Sequence, residues 1–301
     1  MTAHAQSTYE VRSFIRFENA KTRQPLNTAV PSDTLRISDD GKSALNVQVS
    51  SAEDVPITVL VAFDTSGSER DSGIVHALRQ SLPGFLQQVV RHGKDSVTLV
   101  DFSDEVYFDA GPTDDLRKIS ELKKHEESRG GTALYDSITA ICKRSKNGSA
   151  QQRRVMLLFS DGQDNASESD LKAAMEVAQD SDTSIFAVST GEKGATRGNR
   201  ILQQLAVSTG GRVFDGIQSK QVDDFYRFLV RVLRSQYLIT YTLAEAPRRD
   251  KHRLVQIVST NPDVLAFAPL GALQHLRSQS VDHGRDNHFW LPPVQTRTSA
   301  C

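Results

Sequence analysis

The spacing of hydrophobic and polar positions changes twice along the chain. From Tyr9 to Ser51 it has period two. Tyr9, Val11, Ile15 and Phe17 alternate with Glu10, Arg12, Arg16 and Glu18, the pattern of a half-buried strand. Leu35 and Ile37, then Leu45, Val47 and Val49, flank the turn Asp39-Asp40-Gly41-Lys42. Apolar alternation around Asp-Gly signals a hairpin, so residues 9–55 are expected to form an N-terminal β segment.

After Pro56 the pattern changes. Ile57 to Phe63 is a near-continuous apolar run, as in a strand buried on both faces of a parallel sheet. Ile74, Leu78, Leu82, Phe85, Leu86 and Val89 then recur at helical spacing up to Gly93. Pro83-Gly84 is expected to kink this helix near Arg79, where proline removes a hydrogen bond. A strand from Ser96 to Phe102, an edge-like strand around Val106 to Phe108, and helices from near Asp114 and from Ala133 to about Ser145 follow. Val155 to Phe159 and Ile185 to Val188 are further buried runs. Helical spacing returns around Leu171, with Ser167 and Asp170 placed to cap it, around Leu202, and from Phe225 to Leu233. Strands alternating with helices predict a doubly wound, mostly parallel α/β sheet over residues 56–235.

The period then reverts to two. Tyr237, Ile239, Tyr241 and Leu243 form one alternating run and Val255 and Ile257 belong to another. Residues 236–269 are therefore expected to form a C-terminal β hairpin that packs with the N-terminal strands as a small flanking unit. Residues 270–301 are polar without an apolar period and are expected to be a disordered, solvated tail, with His275, His283 and His288 in it.

Composition narrows the function classes. The 301 residues carry 36 Lys and Arg against 37 Asp and Glu, a formal net charge of −1. That leaves no clustered positive footprint for nucleic acid. No apolar stretch approaches the ~18 residues of a membrane-spanning helix, and no P-loop pattern occurs, which argues against a nucleotide ligand. Cys142 falls in a helical pattern and Cys301 in the tail, so no disulfide framework is expected. Ala3-His4-Ala5 before Gln6 resembles the end of a secretory signal, without its basic start and apolar stretch.

The chemistry concentrates after the first buried strand, in Asp64, Ser66 and Ser68. In a doubly wound sheet, ligands bind beyond the carboxyl ends of the strands. Two more oxygen donors are expected at that rim: Thr132, after the flexible pair Gly130-Gly131, and Asp161, at the end of the strand Val155 to Phe159. Singly, these are ordinary turn residues or helix caps. Together they make a set of hard oxygen donors without His or Cys, which suits Mg²⁺ or Mn²⁺ rather than zinc. Asp101 and Asp104 are candidates for an outer layer.

In these residues the chain resembles the von Willebrand factor A domain and its metal-ion-dependent adhesion site. Asp64-Thr65-Ser66-Gly67-Ser68, Gly130-Gly131-Thr132-Ala133-Leu134-Tyr135-Asp136 and Leu158-Phe159-Ser160-Asp161-Gly162 carry the likeness, which extends over roughly Pro56 to Ser235. Glu69 departs from the Met common after the second serine. The flanking β segments and Gln236-Tyr237-Leu238-Ile239-Thr240-Tyr241 resemble a bacterial subgroup abundant in Acidobacteria, and a secreted or periplasmic setting is what that likeness implies. The resemblance implies that Asp64, Ser66, Ser68 and Thr132 hold Mg²⁺, with Mn²⁺ or Ca²⁺ as alternatives, directly or through water, and that Asp161 stands in the outer shell. Two carboxylates give −2 against +2, so the ion stays electrophilic and keeps a position that a carboxylate can take; the resemblance implies that this is a Glu or Asp side chain of a partner protein.

Two other classes compete. A metal-dependent phosphatase would place a second acid two residues after the first aspartate, where this chain has Ser66; serine cannot act as a general acid near neutral pH. No G-x-S-x-G elbow occurs, and His76, His92 and His125 read as helix or surface residues, so no enzyme activity is expected. In the third class the protein is a scaffold or adaptor whose metal only stabilises loops.

Overall fold

In the computed structural model, which describes residues 9–67, 73–120, 130–146, 152–245 and 255–268, residues 9–51 and 236–267 build a β sandwich and the residues between them an α/β layer. The N-terminal part supplies β1 (Tyr9–Asn19), β2 (Leu35–Asp39), β3 (Lys42–Ser43) and β4 (Leu45–Ser51). Asp40 and Gly41 both take positive φ, 49° and 79°, the geometry of the tight turn that suits the twist of paired strands. This joins β2 to β3 with Asp39 opposite Lys42. The chain then leaves that sheet, and β4 belongs to the other one.

The C-terminal part supplies β11 (Gln236–Leu243), β12 (Val255–Ser259) and β13 (Val264–Phe267). The expected C-terminal hairpin is not formed. β11 lies between β1 and β4 in a four-stranded sheet of order β13-β1-β11-β4, while β12 pairs with β2 in a three-stranded sheet of order β12-β2-β3. An alternating pattern fixes which face of a strand is buried but not which strand lies beside it. Val11, Ile15, Phe17, Leu35, Ile37, Tyr237, Ile239, Tyr241 and Ile257 fill the space between the sheets.

Between these ends run β5 (Ile57–Asp64), α1 (Gly73–Val89), β6 (Ser96–Phe102), β7 (Val106–Thr113), α2 (Leu116–Ser120), α3 (Leu134–Ser145), β8 (Arg153–Ser160), α4 (Leu171–Asp180), β9 (Thr183–Ser189), α5 (Arg197–Ser208), β10 (Arg212–Phe214) and α6 (Val222–Arg234). The sheet order is β10-β9-β8-β5-β6-β7. All pairs are parallel except β6 with β7, the edge strand, which is longer than its apolar residues suggested. Every residue of β5, β8 and β9 is buried, as strands covered on both faces must be. Odd residues of β5 (Val59, Val61, Phe63) meet α1 and α6, and even ones (Leu60, Ala62) meet α3, α4 and α5. Pro83 sits inside a continuous α1. Asp170 caps α4, accepting from the Ala173 N–H at 2.8 Å, whereas Ser167 serves a different helix, described below. Cys142 is buried and unpaired. The polar tail with its histidines and Cys301 lies outside the described residues, and none of the described helices is long and apolar enough to cross a membrane.

The entry into the sheet is pinned by Asp95. Its Oδ1 accepts from the Ile57 N–H at 2.9 Å and its Oδ2 from Arg91 Nε at 2.7 Å. Arg91 also donates to the Glu53 and Val55 carbonyls, at 2.8 and 3.1 Å, so one pair ties the sandwich exit, β5 and the α1–β6 connection. Burial pushes the Asp95 carboxyl up, but hydrogen bonds from the Arg91 side chain and from the Ile57 and Arg91 N–H groups outweigh it, and its pKa is lowered. A carboxyl with a depressed folded-state pKa stabilises the fold above its unfolded value, about 3.9, and loses that contribution as pH falls through the folded value. Asp95→Asn is expected to cost about 2 kcal/mol at pH 7. In urea melts the gap between wild type and variant should close as pH is lowered below 4; a gap independent of pH would show that the charge of Asp95 contributes nothing.

Candidate metal centre

Asp64 and Ser160 are the last residues of β5 and β8, adjacent parallel strands paired in register up to Phe63 and Phe159. The chain leaves β5 toward β6 on one side, while β8 flanks the other, so the two residues sit where the strand order reverses. That is where open α/β sheets bind ligands. Phe63 and Phe159 stack beneath them with ring centroids 4.4 Å apart, giving a dry floor. Ser160 Oγ donates to Asp64 Oδ2 at 2.7 Å. The Ser66 N–H donates to Asp64 Oδ1 at 3.0 Å, and the Ser66 hydroxyl also bonds that carboxylate. Asp64 is only 1% exposed. Burial raises its pKa to about 6 against the bonds from Ser66 and Ser160, and the nearby charge of Asp161 adds to the rise.

Asp161 follows Ser160 and is held by its own neighbour, with Gln163 donating N–H to Oδ1 and Nε2 to Oδ2, each at 2.9 Å. Gly162 has φ +77°, and a Cβ on it would collide with the carbonyl of Gly198. A Cβ on Gly198 would in turn collide with the Asp161 carbonyl. This close approach fixes the loop that carries Asp161. Beside it opens a cleft of about 460 Å³ lined by Tyr135, Asp164, Glu192 and Arg197.

Thr132 reaches the same rim on a separate loop. The Ala133 N–H donates to the Ser103 carbonyl at 2.6 Å. Thr132 N–H donates to Asn165 Oδ1 at 2.7 Å, and its carbonyl accepts from the N–H groups of Asn165 and Ala166 at 3.0 and 3.1 Å. Gly131 must lack a side chain because a Cβ there would meet Asn165 Oδ1, and Gly130 lies against the Asp104 carboxylate in the same way. Ser167 Oγ accepts from the Tyr135 and Asp136 N–H groups at 3.1 Å, so it caps α3 rather than α4. Asp136 returns the link by accepting from the Glu168 and Ser169 N–H groups.

The structure thus brings Asp64, Ser66 and Asp161 together and holds Thr132 on a loop laced to the segment after Asp161. The Thr132 side chain is buried, but among the described residues its hydroxyl shares no hydrogen bond with Asp64 or Asp161. Ser68 and Glu69 lie outside the described residues. Asp101 faces elsewhere, toward Arg79 Nη2 at 2.6 Å, and the Arg79 guanidinium covers the Phe63 ring at 4.1 Å. His92 is a surface residue beside Asp114. Ser160, Asp164 and Asn165 are the contributors that sequence reasoning missed, and Ser167 serves α3 where the sequence suggests a cap for α4. Among the described residues no group of three or more His, Cys, Asp and Glu could hold a metal. A rim of two carboxylates with hydroxyls contains no such triplet, and its hard oxygens fit Mg²⁺ rather than a softer ion.

A doubly wound sheet with an acid-and-hydroxyl rim at its switch point defines the class, an α/β domain whose strand-end loops stand where such sheets bind ligands. The chain belongs to the von Willebrand factor type A domain family, whose model matches residues 58–228. Among solved structures, a von Willebrand factor type A protein from Catenulispora acidiphila is similar at 11% identity, covering 90% of this chain and 76% of that one with a TM-score of 0.51. Proximal thread matrix protein 1 from the mussel byssus is similar at 14% identity and TM-score 0.50, covering 66% of this chain and 51% of that one. The mussel protein with a zinc-occupied MIDAS motif matches at 13% identity and TM-score 0.49, over 65% of this chain and 50% of its own. This chain spans about half the length of the mussel protein, and at these identities the likeness is one of fold. No curated protein matches.

Asn165 is the test of how the rim is held. Asn165→Ala removes the acceptor for the buried Thr132 N–H and is expected to cost about 1–2 kcal/mol in urea unfolding. Asn165→Asp, which keeps an acceptor oxygen, should recover part of that loss; equal loss in both would assign the effect to packing.

Proposed function

We propose that this protein is a divalent-metal-dependent protein-binding module of the adhesion type, not an enzyme. Asp64, Ser66, Ser68 and Thr132 would hold the ion, directly or through water, and Asp161 would hold water in its outer layer. Mg²⁺ is the ion this donor set favours, with Mn²⁺ and Ca²⁺ as alternatives, and an intact adhesion site is part of the same reading. So is the assignment to the bacterial subgroup with flanking β segments. The observation that carries it is the buried Asp64 carboxylate at the switch point of a family domain, bonded to Ser66 and within electrostatic reach of Asp161. An ion bound here would offer a position to a Glu or Asp carboxylate of a partner protein.

The chain's own residues prepare that role. Ser66 and Ser160 orient the two Asp64 oxygens, the glycine contacts fix the Asp161 loop, and Asn165 fixes the Thr132 loop. Preorganisation of this kind lowers the ordering cost of binding. Ser66 occupies the second position after Asp64, where a phosphatase would place its general acid.

Mg²⁺ at a hundred times its Kd is expected to stabilise the wild type by about 2.7 kcal/mol. Asp64→Ala should abolish that gain. No gain in the wild type, or an equal gain in the variant, would remove the metal from this site. Capture of partner proteins should be lost with a chelator and with Asp64→Ala. Capture that survives both, while Mg²⁺ still raises the melting temperature, would leave the metal a loop stabiliser only and would overturn the adhesion reading.

A further inference from the structure

The four-stranded sheet of the sandwich ends on one side in β4. Bonded and unbonded residue pairs alternate along an antiparallel ladder. The Ala52 N–H donates to the Gln236 carbonyl at 3.0 Å, which makes these two residues a bonded pair. Counting back in the same register, Ser50 and Gln48, opposite Leu238 and Thr240, direct their main-chain groups to β11. Val47, Val49 and Ser51 therefore turn their N–H and C=O groups to the free side. There these groups meet no hydrogen-bond partner among the described residues.

An open strand edge is a template for another strand, and folded proteins blunt such edges with charge, proline, bulges or short length. The other edges of the described sheets are blunted. β7 carries Asp109 and Pro112 and shifts register twice against β6. β3, β10, β12 and β13 have two, three, five and four residues. β4 has seven, Leu45–Ser51, with no charged residue and no proline. Its bulge lies at the start of the strand, where Asn46 has φ 51°, and leaves Gln48–Ser51 in register with β11. Val47 and Val49 pack against the sandwich core yet stay partly exposed, so the apolar interior stops at this rim.

We propose that β4 is a dimerisation edge, which pairs antiparallel with β4 of a second copy of this chain about a two-fold axis through Val49. Such an axis maps the three outward residues onto themselves. Val49 meets Val49, and Val47 meets Ser51, so every idle main-chain group of these residues gains a partner. Gln48 falls opposite Ser50 of the second copy, and both are exposed polar residues. A two-fold contact presents the same patch from both sides, and like charges directly opposite each other destabilise paired strands. A strand without charge meets no such penalty in its own copy, which is what favours a second copy as the occupant. The valines of each copy then close the open rim of the other.

The test is sedimentation of the full chain, with reductant to exclude disulfide-linked copies and chelator to keep metal out of the contact. A reversible monomer–dimer equilibrium is expected at micromolar concentration. Val49→Pro removes the central outward N–H and leaves the ladder to β11 intact, as proline does on an edge strand. It should raise the dissociation constant about tenfold or more. Because proline can still disturb the strand, a second pair of variants alters exposed side chains only. Gln48→Lys with Ser50→Lys sets Lys against Lys across the axis and should weaken the dimer about tenfold. Gln48→Glu with Ser50→Lys sets Glu against Lys and should leave it as tight or tighter. A chain that is monomeric at every concentration, a dimer that the lysine pair leaves intact, or one that both pairs weaken equally would overturn the proposal.

Discussion

A carboxylate at the end of a fully buried central strand sets the terms for the rest of the domain. β5 is central and covered on both faces, yet it ends in Asp64, 1% exposed. An ionised group in that position is costly unless paired or hydrogen-bonded. Each neighbouring element supplies part of the compensation. The turn after β5 gives the Ser66 amide and hydroxyl, and the register of β5 with β8 gives the Ser160 hydroxyl. The sheet can present Asp64 at its edge only because the order of strands reverses there. The loops then close around it, and the glycines at 130, 131, 162 and 198 are among the positions where backbone or side chain comes too close for a Cβ.

The sandwich depends on a different compromise. Glu18 is fully buried and contacts Arg16, Arg23 and Arg212, while Arg16 Nη2 donates to the Gly211 carbonyl at 2.9 Å. The Arg16 guanidinium also lies 4.2 Å from the centroid of the Phe267 ring, and Arg212 contacts Phe214 and Phe228. Burial, reinforced by the charges of Arg212 and Arg23, drives the pKa of Arg16 well down. Replacing such a group by apolar residues can be neutral in stability, whereas removing one member leaves another charge stranded. Its use is directional: it fixes β1 and β13 against β10, a docking that apolar contact alone would not orient.

Much of this was legible from the sequence. The apolar runs of β5 and β8 mark strands covered on both faces, and the two changes of period mark the borders between sandwich and α/β layer. Asp64, Ser66 and Asp161 are visible because each stands beside a strand end within a few residues. What was not legible depends on partners distant in sequence. Ser160 matters only because β8 lies beside β5, a register no local pattern reports. Asn165 holds Thr132 across 33 residues, and Ser167 looks like a cap for α4 yet bonds N–H groups of α3. The strands β11 and β12 read as a hairpin because nothing local says that their partners are β1 and β2.

The near-zero net charge conceals a further piece of organisation. A total of −1 is a sum over surfaces of opposite sign. At the carboxyl ends of β5 and β8 two acids gather at one rim; at the amino end of β8 stands Arg153, a buried guanidinium whose hydrogen bonds go to the Leu233 carbonyl and Gln236. A strand rises about 3.3 Å per residue, so the eight residues of β8 hold these centres roughly 20 Å apart, beyond the ~8 Å over which exposed charges interact at physiological salt. Neither centre can neutralise the other, and each must find its counterion locally. Protein groups supply that only in part: Ser66 and Ser160 give Asp64 hydrogen bonds without positive charge, and the Leu233 carbonyl and Gln236 give Arg153 the same without negative charge.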